Sequence, residues 1–172
     1  MAKDNIILIG MPGVGKSTIG VIMAKMLGYE FVDSDLVIQK TEGKLLKDII
    51  EAEGQDGFLE IENRINSGLE LQRTVIATGG SAVYGKEAME HFKEIGFVVY
   101  IRQSLAELEK RLKNIRNRGV VLKDGQTLAG LYEERRVLYE RWADVTVNEE
   151  GLDIEQTLAA AIEAIAGSGL LG

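Results

Sequence analysis

The chain contains no cysteine, one proline, one histidine and one tryptophan in 172 residues. Without cysteine there is no disulfide framework, no thiolate nucleophile and no thiolate metal site. Long apolar runs are missing as well, none approaching the roughly 18 residues that a membrane span needs. Cationic excess is absent: 27 acidic residues face 20 basic ones, for a net charge of −7. That balance argues against nucleic acid as a partner, and it makes any basic groups that handle phosphate a local feature. Met1-Ala2-Lys3-Asp4 leads directly into a strand-like run with none of the character of a signal peptide. The expectation is a cytoplasmic monomer that binds neither nucleic acid nor membrane.

What is present is a phosphate cradle. Gly10-Met11-Pro12-Gly13-Val14-Gly15-Lys16-Ser17 fits G-x-x-x-x-G-K-[ST], between the apolar run Asn5–Ile9 and a stretch of helical periodicity from Thr18 to Leu27. In that setting the glycines let successive backbone N–H groups point inward, and the helix start adds partial positive charge. Gly13, Val14, Gly15, Lys16, Ser17 and Thr18 are therefore the expected nucleotide-binding set. Lys16 would reach the β- and γ-phosphates, and the Ser17 hydroxyl would ligate Mg²⁺.

Hydrophobic content of 45% and charged content of 27% suit a globular domain with one core. Strand-like runs at 6–9, 30–32, 75–77, 97–101 and 145–147 alternate with helical patterns at 16–27, 35–41, 45–52, 57–72, 86–94, 105–113, 128–142 and 153–166. This rhythm predicts an α/β fold of the P-loop NTPase type, a three-layer sandwich around a five-stranded parallel sheet. It reads as a single domain whose core is 1–34, 74–113 and 127–172. Residues 35–73, helical with no strand between, form a substrate-binding insertion, and the polar stretch 114–126 with Arg116 and Arg118 reads as a lid.

Ligands in such sheets sit beyond the carboxyl ends of the strands. There Asp33 and Asp35 can divide two tasks, one holding Mg²⁺ through water and the other accepting a hydrogen bond from an attacking hydroxyl. Asp35 or Ser34 could equally cap the following helix. Gly79-Gly80 allows close backbone approach to a ligand, or simply a tight turn. Of the arginines, Arg118 and Arg136 read as functional, whereas Arg135 reads as a surface residue paired with Glu133 and Glu134. His91, Trp142, Met23 and Met26 read as structural, the methionines as core filling.

Taken together, the cradle at 10–17, Asp33-x-Asp35, Glu42-Gly43 through Gly54-x-x-Gly57-Phe58, Gly79-Gly80, Arg118 and Arg136-Val137-Leu138-Tyr139 resemble the shikimate kinase family along nearly the whole chain. The resemblance implies ATP and Mg²⁺ as cofactors and shikimate as phosphoryl acceptor, in aromatic amino-acid biosynthesis. It implies that Lys16, Asp35 and Arg118 are catalytic, with Asp35 contacting the acceptor hydroxyl and Arg118 bridging substrate and γ-phosphate. It further implies that Asp33 supports Mg²⁺, Arg136 grips the substrate carboxylate, Gly79 and Gly80 line the substrate pocket, and Arg111 stacks on adenine.

Three departures all fall on the acceptor side. Leu59 follows Phe58 where the family has an arginine that clamps the carboxylate, Ser81 replaces a third glycine, and Arg118 is followed by Gly119-Val120-Val121 rather than Pro-Leu-Leu. Two other readings thus stay open: a kinase of another small hydroxylated acceptor such as gluconate or homoserine, or a nucleotide-sensing module without catalysis.

Overall fold

β1 (Asn5–Ile9) is buried at all five positions, and in the computed structural model it forms the middle of the sheet. The structure describes residues 3–112 and 125–169. After β1 follow α1 (Lys16–Leu27), β2 (Glu30–Asp33), α2 (Ser34–Glu42), α3 (Leu46–Ser67) and β3 (Thr74–Ala77). A 3₁₀ turn (Ala82–Tyr84), α4 (Lys86–Ile95), β4 (Gly96–Arg102), α5 (Leu105–Arg111), α6 (Leu128–Trp142), β5 (Val145–Asn148) and α7 (Ile154–Gly167) complete the order.

All strand pairs are parallel, in the order β2-β3-β1-β4-β5. Position in that order explains composition. β1 and β3 are apolar and buried almost throughout because helices cover both faces, while the edge strands β2 and β5 keep exposed residues. The chain leaves β1 toward β2 on one side and later returns to β4 on the other. The crevice at this reversal, beyond the strand carboxyl ends, receives the loop 10–15, the Asp33 corner and the Gly79–Ser81 turn.

The expected five strands are all present. The helical segments at 45–52 and 57–72 are instead one assignment, α3, broken at Gly54, whose φ of 74° interrupts the helical path. Its second half stops at Ser67, short of residue 72, and a turn through Arg73 (φ 46°) feeds β3. Met23 is core, but Met26 is 60% exposed on the outer face of α1, so it fills no core. The helix cap after β2 is neither Asp35 nor Ser34: the Asp33 carboxylate accepts from the N–H groups of Asp35 and Leu36. His91 contacts the Leu69 carbonyl at 2.6 Å, and Trp142 packs against the main core. The lid segment lies almost wholly outside the described residues.

There are two apolar clusters. The larger spans the sheet and its flanking helices. The smaller, built on Ile38, Ile49 and Phe58, joins α2 to α3. Below the site, Asn5 is fully buried. Its amide donates to the carbonyls of Leu71 (2.7 Å) and Ile95 (2.9 Å) and accepts from Thr74 N–H at 3.0 Å. Asn5→Ala strands these three backbone groups without replacement partners. It is expected to lower unfolding free energy by about 3 kcal/mol, read from urea denaturation midpoints.

Candidate active site

Gly15 precedes the first turn of α1 with φ 89°, a left-handed conformation that glycine adopts without strain. No side chain caps this helix end, so its first N–H groups remain free to meet an anion. Lys16 is buried beside them, and its Nζ donates to the carbonyls of Gly10 (2.7 Å) and Met11 (2.8 Å). Burial pushes its pKa down to about 8, with Asp35 opposing the shift and Arg135 adding to it.

Ser17 Oγ donates to Asp33 Oδ2 at 2.8 Å. The other oxygen of Asp33 takes the N–H groups of Asp35 (2.9 Å) and Leu36 (3.3 Å). One carboxylate thus joins the nucleotide-side helix to the start of α2. Asp35 projects from that start into a cavity of about 330 Å³ shared with the phosphate loop. Burial pushes the Asp35 carboxyl up to about 6, with Asp33 adding and Lys16 opposing.

The same cavity is lined by Gly13, Gly15, Lys16, Ser17 and Thr18 on one side and by Gly79, Gly80 and Ser81 on the other. Gly79 has no room for a side chain: a Cβ there would lie 2.5 Å from Asp35 Oδ1. At Gly80 a Cβ would lie 2.7 Å from an Arg135 terminal nitrogen and from Pro12 Cδ. Val14 is buried in the core beneath the loop. Arg111 stands beside the cradle, with Nη1 donating to the Gly13 carbonyl (3.0 Å) and pairing with buried Glu149 (3.0 Å), and with Nε on Glu107 (3.1 Å). Arg118 lies outside the described residues.

The two adjacent arginines are placed in the reverse of the sequence expectation. Arg136 does not line the cavity; its guanidinium lies on the outer face of α6, paired with Glu133 (3.0 Å) and Glu140 (3.1 Å). Arg135 is 1% exposed and lines the cavity, with Cζ 5.5 Å from the Tyr84 ring centroid. The reason is helical phase. Leu131, Arg135 and Tyr139 recur every four residues on the buried stripe, and Tyr139 donates its hydroxyl to the Gly80 carbonyl at 2.6 Å. That period was available in the sequence.

Glu62 is a second residue that sequence reasoning missed. It is buried one turn after Phe58 on α3, and Ser81 Oγ donates to its Oε1 at 2.6 Å. Leu59, at the family's arginine position, packs against the small apolar cluster and does not line the cavity.

The shikimate kinase family profile matches residues 12–166. The chain belongs to the shikimate kinase family. It is 40% identical over 150 residues to a shikimate kinase of Thiobacillus denitrificans, covering 85% of this chain and 81% of the relative. Among solved structures it resembles shikimate kinase from Acinetobacter baumannii in complex with shikimate, with a TM-score of 0.85 and 32% identity over 97% of this chain and 94% of that one. The Aquifex aeolicus shikimate kinase gives 0.81 and 30%, over 98% and 99%. A thymidylate kinase of Candida albicans, 12% identical with a TM-score of 0.63, shares the fold. Membership in this family makes the chain an ATP-using phosphotransferase with an alcohol group as acceptor.

The low pKa of Lys16 has a measurable consequence. Polyphosphate favours the charged ammonium, so nucleotide binding raises that pKa and takes up a proton when the pH is near 8. Calorimetry of ADP binding at pH 8, in two buffers of different ionisation enthalpy, should report uptake of a fraction of a proton. Lys16→Arg should abolish that uptake, and affinity for the unsubstituted protein should weaken as pH rises past 8.

Proposed function

We propose that this protein transfers the γ-phosphoryl group of ATP to the 3-hydroxyl of shikimate, giving shikimate 3-phosphate on the route to chorismate. One observation carries the reading: Lys16, Asp35 and Arg135 face a single cavity between the phosphate loop and the Gly79–Ser81 turn. That arrangement supplies a cation for the transferred phosphoryl group, a carboxylate for the acceptor hydroxyl and a guanidinium for the acceptor carboxylate.

In this reading the free N–H groups at the start of α1 and the Lys16 ammonium hold the β- and γ-phosphates. Lys16 leaves its carbonyl partners, Gly10 and Met11, to do so. Asp35 orients the acceptor hydroxyl and takes its proton; a carboxyl pushed up to about 6 is still mostly ionised at neutral pH and lies closer to the working range of a base. Arg135 grips the acceptor carboxylate, the role that the resemblance assigned to Arg136. Gly79 and Gly80 admit the acceptor where any side chain would collide with Asp35 or Arg135. The Arg111 guanidinium, held by Glu107 and Glu149, stacks on adenine. Arg118 keeps the bridging role that the resemblance implies.

Ser17 and Asp33 fit Mg²⁺, since a hydroxyl and a carboxylate oxygen 2.8 Å apart beside the phosphate loop are the hard donors this ion prefers. When bound, Mg²⁺ neutralises charge on the β- and γ-oxygens. The reading carries with it a single-domain cytoplasmic monomer, expectations that rest on composition and charge.

A second acceptor is favoured by a specific observation. Among the described residues the only cations lining the cavity are Lys16 and Arg135, and Ser81 adds a hydroxyl. An acceptor with a less demanding carboxylate, or with one more hydroxyl, suits that lining.

Coupled ADP release, measured with ATP·Mg²⁺ and a panel of shikimate, gluconate and homoserine, tests the choice. Turnover with shikimate is expected; turnover with another member and none with shikimate would move the assignment to that acceptor. Asp35→Ala should abolish transfer while leaving ATP affinity nearly intact. Arg135→Ala should raise the acceptor KM roughly 30-fold or more, as expected for a desolvated charge pair worth at least ~2 kcal/mol. Arg136→Ala should leave that KM nearly unchanged, and equal effects from the two arginines would remove Arg135 from the proposed site.

A further inference from the structure

Glu62 has no part in the mechanism above, yet its surroundings are unusual. It is 2% exposed; Oε1 accepts from Ser81 Oγ, and Oε2 is buried without a hydrogen-bond partner. Gly79 shows where Oε2 points. The position that a Gly79 Cβ would occupy lies 3.1 Å from Glu62 Oε2 and 2.5 Å from Asp35 Oδ1, so both carboxyls converge on one glycine that has nothing to separate them. Leu59, one turn earlier on the same helix, offers no cation, and it packs into the apolar cluster between α2 and α3.

We infer that Glu62 is a positioning residue that acts through Asp35: fixed by Ser81, it directs Oε2 at the catalytic carboxylate and holds it aimed at the acceptor hydroxyl. The inference rests on the reading of Asp35 given above.

Two carboxyls that converge on one glycine in a buried setting disfavour joint ionisation, which favours a proton on one of them. The surroundings assign that proton to Glu62. Burial pushes its carboxyl up to about 8, with Asp35 on α2 adding, and with Ser81 and Arg135 on α6 opposing. Asp35 shares its cavity with the Lys16 ammonium, whereas Glu62 lies outside that lining. Other ionisable groups on neighbouring elements include Tyr84, which lies against Arg135, and Glu87 on α4, which is occupied by Asn63. With its proton on Oε2, Glu62 is a donor facing an acceptor. Ser81 then has a purpose that a glycine would not serve: it fixes Oε1 so that the free oxygen is the one turned toward Asp35.

The experiment uses the full chain, with two substitutions of Glu62 and one of Asp35. Infrared spectra at pH 7 should show the carbonyl stretch of a neutral carboxylic acid that disappears in Glu62→Gln. On titration the band should fade near pH 8, and its midpoint should drop in Asp35→Asn, where the neighbouring charge is gone. Absence of the band, or a midpoint indifferent to Asp35→Asn, would overturn the inference; neither readout needs an acceptor. Kinetics at saturating ATP, where the phosphates keep Lys16 charged, add a second test. Glu62→Ala should lower kcat at least tenfold with the KM for ATP unchanged, and thermal melts check that it folds. Glu62→Gln, which keeps a donor, should retain kcat within about threefold and lose the decline in kcat expected of the unsubstituted enzyme above pH 8. A glutamine variant as impaired as the alanine one, or one that keeps the decline, would overturn the inference. If the unsubstituted enzyme turns over no shikimate, the functional reading fails alone: the profile is then measured with the panel acid that is turned over, and the infrared result stands by itself.

Discussion

The Asp33 carboxylate is the joint on which the site depends. One of its oxygens takes the Ser17 hydroxyl from the first turn of α1, and the other takes the N–H groups that open α2. The first turn of α1 and the first turn of α2 therefore share a fixed point at the end of β2, which in the proposed function couples the nucleotide side to the acceptor side. Asp35 leaves α2 two residues later, and its distance from the phosphate loop is set by that corner. Phosphoryl transfer is sensitive to such spacing, because the protein contributes mainly alignment and charge neutralisation.

Around this joint the fold collects buried charge of both signs. Lys16, Asp35, Glu62 and Arg135 are all buried or nearly so; Asp35 and Arg135 act on both Lys16 and Glu62, and Lys16 acts on Asp35. Buried ions are tolerated where partners are close and the remaining polar atoms are satisfied. Here one is not: Glu62 Oε2 has no hydrogen-bond partner. That oxygen is turned toward the Gly79 position on which Asp35 also converges, so the cost of leaving it unsatisfied falls on the geometry of the site.

Much of this architecture is legible in the residues. The five strands are readable because a parallel sheet covered on both faces makes its inner strands nearly continuous apolar runs. The cradle is readable because glycine, lysine and hydroxyl occupy fixed offsets. Illegible parts have separate causes. The turn through 68–73 is masked by the leucines and glutamate at 69–71, which extend a helical pattern past Ser67. Arg135 and Arg136 are chemically identical, and only the phase of α6 separates the one on the buried stripe from the one among surface glutamates. Glu62 falls at the glutamate of the family's F-R-x-x-E pattern, but nothing in the sequence gives it a role until the chain folds Ser81 and Gly79 against it. The expected cap moved from Asp35 to Asp33 because the earlier carboxylate already stands at the strand end, within reach of two backbone donors.

The small cluster of Ile38, Ile49 and Phe58 separates the packing of the acceptor-side helices from that of the sheet. Phe58 belongs to this cluster and also lines the cavity, so changes in acceptor-side shape are absorbed by a handful of apolar contacts. Exchanging side chains of that cluster would therefore reshape one wall of the cavity while leaving the sheet core and the loop at 10–15 in place.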